Sequence, residues 1–180
     1  RVGVLPERCQ HALRTAAILG REFAAVLVAR MLDETPARVM DELAPAVRAG
    51  LIEEREPGRF AFRHALVRDA VDWALTAEGR IAMHARAERA LALEGDSPEQ
   101  LVERARHALA GATRASASHA LALARMAAEG LESQGAFDRA YAMHQRVEQV
   151  RRAGLLPPAS QDKRLDLARI AREAGRHADA

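Results

Sequence analysis

The residues best placed to do chemistry sit in "FAFRHALVRDAV", beginning at Phe60, where Arg63 and His64 stand between an aromatic-rich run and the start of a helical pattern. A helix N-terminus carries unpaired amides and the positive end of the macrodipole, so a histidine there adds a donor toward an anion, phosphate being the natural one. From local chemistry alone, bracing or capping the hairpin is the competing role for His64. The remaining histidines, at 11, 84, 107, 119, 144 and 177, are scattered, and neither HExxH nor CxxC occurs. That spacing argues against a metal site. His84 stands four residues before Glu88 on a helix also bearing Ile81 and Leu91, which reads as packing or hydrogen bonding. Cys9 has only His11 nearby, on a different helical face, so a small buried residue fits better than a nucleophile. No GxxxxGK[ST] stretch is present, so this sequence brings no phosphate-cradling loop and is not expected to hydrolyse ATP alone.

The elements that must position Arg63 and His64 can be read upstream. "LPERCQHALRTAAILG" has helical spacing, giving a helix over 7–19 with Gly20 as a left-handed stop. "EFAAVLVARML" reads as a short apolar helix. "TPARVMDELAPAVRAG" is a third helix, with Thr35 as N-cap, Pro36 at the first position, an interruption at Pro45 and a close at Gly50. "LIEER" and "RFAFR" then form a hairpin around "EPG", with Phe60 and Phe62 on one side and Ala61 and Arg63 on the other. Three helices and a hairpin are the winged-helix order. A third helix of that kind commonly reads DNA, but here Arg38 and Arg48 are set against Asp41 and Glu42, so direct DNA contact is not expected.

Helical period resumes over 64–75, with Trp73 near its boundary, and continues through about 78–94, 98–110 (Ser97 as cap, Pro98 first), 115–133, 136–152 and 160–174. "LARMA" at 123–127 recurs as "LARIA" at 167–171, and "GAFDRA" from Gly135 recurs loosely from Gly175, with His177 where Phe137 stands in the first copy. The spacing of about forty residues slightly exceeds the ~34 of a tetratricopeptide repeat. Phe137 and Tyr141 take the groove-filling places of such a repeat. The expected class is therefore mainly α: a winged-helix domain with a small β-hairpin over 1–77, then a tetratricopeptide-like α-α superhelical array over 78–180.

Composition is consistent with this reading. The 180 residues are 49% apolar and 29% charged, with 3% aromatics. Abundant alanine suits closely stacked helices. The basic residues are arginine except Lys163, and acids nearly cancel them to leave +2, so the pI of about 9.3 gives little support to a nucleic-acid surface. Interleaved charges such as "RVEQVRR" read as solvated helical ion pairs, with a peptide-binding concave face as the alternative. One cysteine excludes an internal disulfide and fits a reducing cytoplasm. No stretch approaches the ~20 apolar residues of a membrane span. A start at Arg1 and a finish in "AGRHADA", the opening of a further helix, read as a piece excised from a longer protein.

"LPERCQHALRTAAILGREF", "LAPAVRAGLIEE" and "GRFAFRHALVRDAV" together resemble the winged-helix region of the signal-transduction ATPases with numerous domains (STAND), and in particular the large ATP-binding LuxR-type transcriptional regulators. The resemblance covers roughly residues 5 to 95 and extends further only as architecture. It implies an upstream nucleotide-binding domain holding ATP or ADP, this winged helix, a helical sensor arm that takes an inducer or protein partner, and a downstream effector. It also implies a possible homo-oligomer in the active state. In immune-receptor members the matching triplet is Met-His-Asp, whose histidine touches the ADP β-phosphate. His64 takes that place, with Arg63 for the methionine and Ala65 for the aspartate. Ala65 removes a carboxylate that would orient the imidazole, while Arg63 can add a phosphate contact. Two other readings keep the same parts: a protein-interaction scaffold with a structural winged helix, and a regulatory arm of a nucleotide cyclase or kinase.

Overall fold

The computed structural model describes residues 4–65, 69, 75–95, 97–158 and 168–175. The fold is mainly helical with a small antiparallel sheet, and its contacts divide the chain into two compact units, Arg1–Ala90 and Leu91–Ala180.

In the first unit, α1 (Glu7–Leu19) buries a face of Cys9, Ala12, Leu13, Ala16 and Ala17. Thr15 is also fully buried, and its hydroxyl donates back to the His11 carbonyl at 3.1 Å, which removes the cost of burying it. The helix ends at Gly20, but not in the left-handed cap expected from sequence. Its φ of 138° and ψ of −159° are an extended, glycine-favouring conformation that leads the chain into a strand. That strand, β1 (Glu22–Ala24), corrects the reading of "EFAAVLVARML" as all helix. Only α2 (Ala25–Leu32) is helical, and it ends at Asp33 in a left-handed conformation with φ 58°. α3 (Pro36–Arg48) begins as expected, with the Thr35 hydroxyl accepting from the Arg38 amide at 3.3 Å. Pro45 does not interrupt it. The helix runs through, and the Ala49 amide still reaches the Pro45 carbonyl at 3.0 Å, because proline removes only its own N–H from the ladder.

The hairpin forms as read, from β2 (Ile52–Glu56) and β3 (Arg59–Phe62), turning at Pro57 and Gly58. Gly58 adopts φ 74°, and its amide donates to Glu54 Oε1 at 2.8 Å. A register irregularity between Glu54 and Glu56 sets Arg55 out of the ladder. β3 is the centre of the sheet, in the order β1-β3-β2, so Phe60 pairs with Phe23 on one side and with Glu54 on the other. Phe23 stacks on Phe60 with ring centroids 5.8 Å apart and meets Phe62 at 5.5 Å. Ala61, expected on the side opposite the phenylalanines, is buried as well. It lies in register between Glu22 and Glu53 on the flanking strands. α4 (Ala77–Leu91) adds Ala87 and Ala90 to this core, and Arg30 donates to the Ala90 carbonyl at 3.4 Å.

In the second unit, α5 (Pro98–Ala110) starts in the expected place with a full capping box. The Ser97 hydroxyl accepts from the Gln100 amide, and the Gln100 side chain accepts from the Ser97 amide at 2.9 Å. α6 (Ala117–Ser133) and α7 (Phe137–Arg152) follow, joined through Gly135 at φ 72°. The core between these helices is largely alanine: Ala105, Ala117, Ala120, Ala124, Ala127 and Ala128 are all buried, which lets the backbones approach closely. Residues 168–173 are helical, and Ile170 and Ala171 pack with Leu131, Ala140 and Tyr141. Met126, the repeat equivalent of Ile170, is 56% exposed while Ile170 is 1% exposed, so the two copies do not occupy equivalent surroundings. Most of the helix read over 64–75, including Trp73, lies outside the described residues, as do residues 159–167 and His177.

Candidate functional site

Arg63 and His64 lie together immediately after β3, and both are exposed. The backbone that carries them is fixed from both sides. The Arg63 amide donates to the Leu51 carbonyl at 3.1 Å, and the preceding Phe62 amide donates to the Arg21 carbonyl at 2.9 Å. The apolar anchor is Phe62, 1% exposed, next to Phe23. β3 buries Phe60, Ala61 and Phe62 in succession, and the chain then leaves the sheet, which presents the next two residues to solvent. Ala65 is already helical, so His64 occupies the junction between strand and helix that the sequence indicated.

The Arg63 guanidinium is not open. Its Nε lies 3.4 Å from Glu53 Oε2, a carboxylate that also pairs with Arg55. At side-chain exposures of 53% and 28% the pair is a weak tether that an incoming phosphate can outcompete. His64 takes part in no such pair among the described residues. On α3, Arg38 is held by Glu34 at 3.3 Å and Glu42 at 3.5 Å, and Arg8 reaches Glu42 at 3.2 Å. The charge of Arg38 on that helix is thus offset, and no such pair is seen for Arg48 among the described residues.

Cys9 is 1% exposed, while His11 on the same helix is exposed. Burial pushes the thiol above its ordinary range, opposed by a hydrogen bond from the Ala46 backbone and by the charge of Arg48. The folded state therefore holds the Cys9 proton more tightly than the unfolded chain. This contribution to stability is complete below about pH 8.5, the ordinary thiol value, and is lost as pH rises through the raised folded value. Iodoacetamide at pH 8 should accordingly alkylate Cys9 only at the rate of global opening, with labelling accelerating in step with urea unfolding.

The charged residues of the second unit include a cluster that sequence reasoning treated as solvated pairs. Glu132 on α6 receives Arg169 at 3.0 Å and faces His144 Nε2 at 3.5 Å, while Arg169 also reaches Glu173 at 3.1 Å. Hydrogen bonding to Glu132, then to Glu173, raises the Arg169 guanidinium further above its ordinary value. Glu148 accepts from Arg151 at 3.4 Å. All of these but Glu173 line a cavity of about 860 Å3 beside α6 and α7. The "RVEQVRR" text shows the charges but not this grouping, which depends on α6 and α7 pairing across a tight turn. Among the described residues no group of three or more His, Cys, Asp or Glu is placed to hold a metal ion, and no helix is long and apolar enough to cross a membrane. Compared with known proteins, the chain matches no family model, no curated protein and no solved structure.

Proposed function

We propose that this chain is the regulatory and sensor part of a STAND-type ATPase transcriptional regulator: a winged helix that closes on a nucleotide-binding domain through His64, and a tetratricopeptide-like arm that receives the signal. The supporting observation is the exposed His64, carried on a strand end fixed by Phe62 and by backbone bonds to Leu51 and Arg21, at a helix start. The order of three helices and a hairpin, with β1 completing a sheet against β3, agrees with a winged helix. Successive helices α5, α6 and α7 joined by short turns agree with an array of hairpins.

In this reading ADP belongs to the upstream domain, and His64 donates to its β-phosphate only in the closed state. Arg63 joins when the phosphate draws it from Glu53. A ligand that favours the closed arrangement shifts the population toward it, and an inducer on the arm, or exchange for ATP, releases it to oligomerise and expose an effector. The setting is cytoplasmic, and neither DNA nor membrane is a direct partner. The α3 pairs of Arg38 with Glu34 and Glu42 favour a protein-facing role over groove reading. The Arg63–Glu53 pair supports a second reading, an interaction scaffold in which the hairpin is purely structural.

Mixing the 180-residue chain with the domain encoded upstream separates the two. Association should require ADP, fall by about tenfold or more with ATP, and fall similarly for His64→Ala, the loss of one hydrogen bond to a charged phosphate. Association indifferent to nucleotide and to His64 favours the scaffold.

A further inference from the structure

The cavity of the second unit is large enough for a small molecule: its volume of about 860 Å3 lies in the ~300–1,000 Å3 range of ligand sites. Its apolar wall comes from Leu121, Ala124, Ala128, Val147, Leu156 and Ile170. Its charge is ordered along its length. Glu132 lies against His144, so antiparallel pairing of α6 and α7 at 1.5 Å per residue sets Arg125 across from Arg151 and Arg152 at the other end. That end is cationic. Arg125 is only loosely matched, 3.8 Å from Glu129 and 64% exposed, and Arg152 has no ion-pair partner among the described residues. Glu132 toward the opposite end is occupied by Arg169, while at the arginine end Glu129 offsets Arg125 and Glu148 offsets Arg151 through Oε1, leaving Arg152 as the excess charge among the described residues.

Two polar atoms of the lining are shut off from water without a hydrogen-bond partner, Glu148 Oε2 and His144 Nε2. The latter lies 3.5 Å from Glu132 Oε1 in a geometry that makes no hydrogen bond. Glu148 Oε2 can only accept, so it calls for a donor and not for an anion; the charge a ligand meets first is that of the exposed Arg125 and Arg152. The geometry points to a binding site for an amphipathic organic acid, its carboxylate or phosphate at Arg125 and Arg152 and its apolar body along Leu121, Ala124 and Val147. This assignment rests on the sensor reading of the second unit and names the chemical class that unit takes.

The 180-residue chain can be tested without any nucleotide domain, so failure here is distinct from failure at His64. Anilinonaphthalene sulfonate, itself an amphipathic anion, serves as the fluorescent probe, displaced in turn by decanoate, decanol and decylamine. Saturable probe binding is expected, with decanoate displacing it at about tenfold lower concentration than decylamine. The Arg125→Glu/Arg152→Glu variant, whose changed side chains are solvent-facing, should bind decanoate about tenfold or more weakly while its circular dichroism and melting stay those of the parent. Decylamine competing as well as decanoate, decanoate binding unmoved by the charge reversal, or uptake of peptides without decanoate would each overturn the assignment.

Discussion

Phe62→Ala should destabilise the first unit by about 3 to 5 kcal/mol, the cost of removing a fully buried aromatic and leaving a cavity behind. Phe62 is 1% exposed, sits on the central strand of the sheet and meets Phe23 at 5.5 Å, so its loss also removes one of the two ring contacts that Phe23 makes across the sheet. The effect should be confined. The core of the first unit and the two core clusters of the second share no residue, so backbone amides of α1, α3 and β3 lose hydrogen-exchange protection while those of α6 and α7 keep theirs. Peptide-resolved exchange reads both at once. Uniform loss across the chain would show that the two cores fold as one.

Ile170→Ala should cost about 2 to 5 kcal/mol, whereas Met126→Ala should stay within about 0.5 kcal/mol of the parent. The two positions correspond in the repeat, "LARMA" and "LARIA", and a strictly periodic array would make them equal. Ile170 is 1% exposed and packs on Leu131 and Tyr141, while Met126 is 56% exposed. Urea denaturation of the two variants measures the difference directly. Equal costs would mean that Met126 is covered in solution.

These contrasts also mark how far local sequence carries. Helix starts with chemical signals were legible: Thr35 with Pro36, and Ser97 with Pro98, cap where their side chains and ring geometry require. The hairpin was legible from Pro57 and Gly58, and the burial of Cys9 from the helical face it shares with Ala12, Leu13 and Ala16. β1 was not. Three residues have no period of their own, and "EFA" becomes a strand only because β3, almost forty residues later, offers it hydrogen bonds. Pro45 misled for the opposite reason, since a helix packed through Val39, Leu43 and Ala46 can absorb one missing donor. The place of Arg63 and His64 at the strand end was legible, but the Glu53 tether required the β2–β3 register. The Glu132, His144 and Arg169 cluster joins three segments and left no local signature.

The central claim is that His64 holds ADP in a closed state, and release of fluorescent ADP measures it most directly. A longer chain carrying the proposed upstream nucleotide-binding domain is loaded with the nucleotide, and its dissociation is followed for wild type and His64→Ala. Loss of one polar contact to a charged phosphate is worth about 1.5 to 3 kcal/mol, so the account predicts release faster by about tenfold or more, with folding preserved. Unchanged release from a folded His64→Ala protein would contradict it and leave His64 as a residue that braces the hairpin.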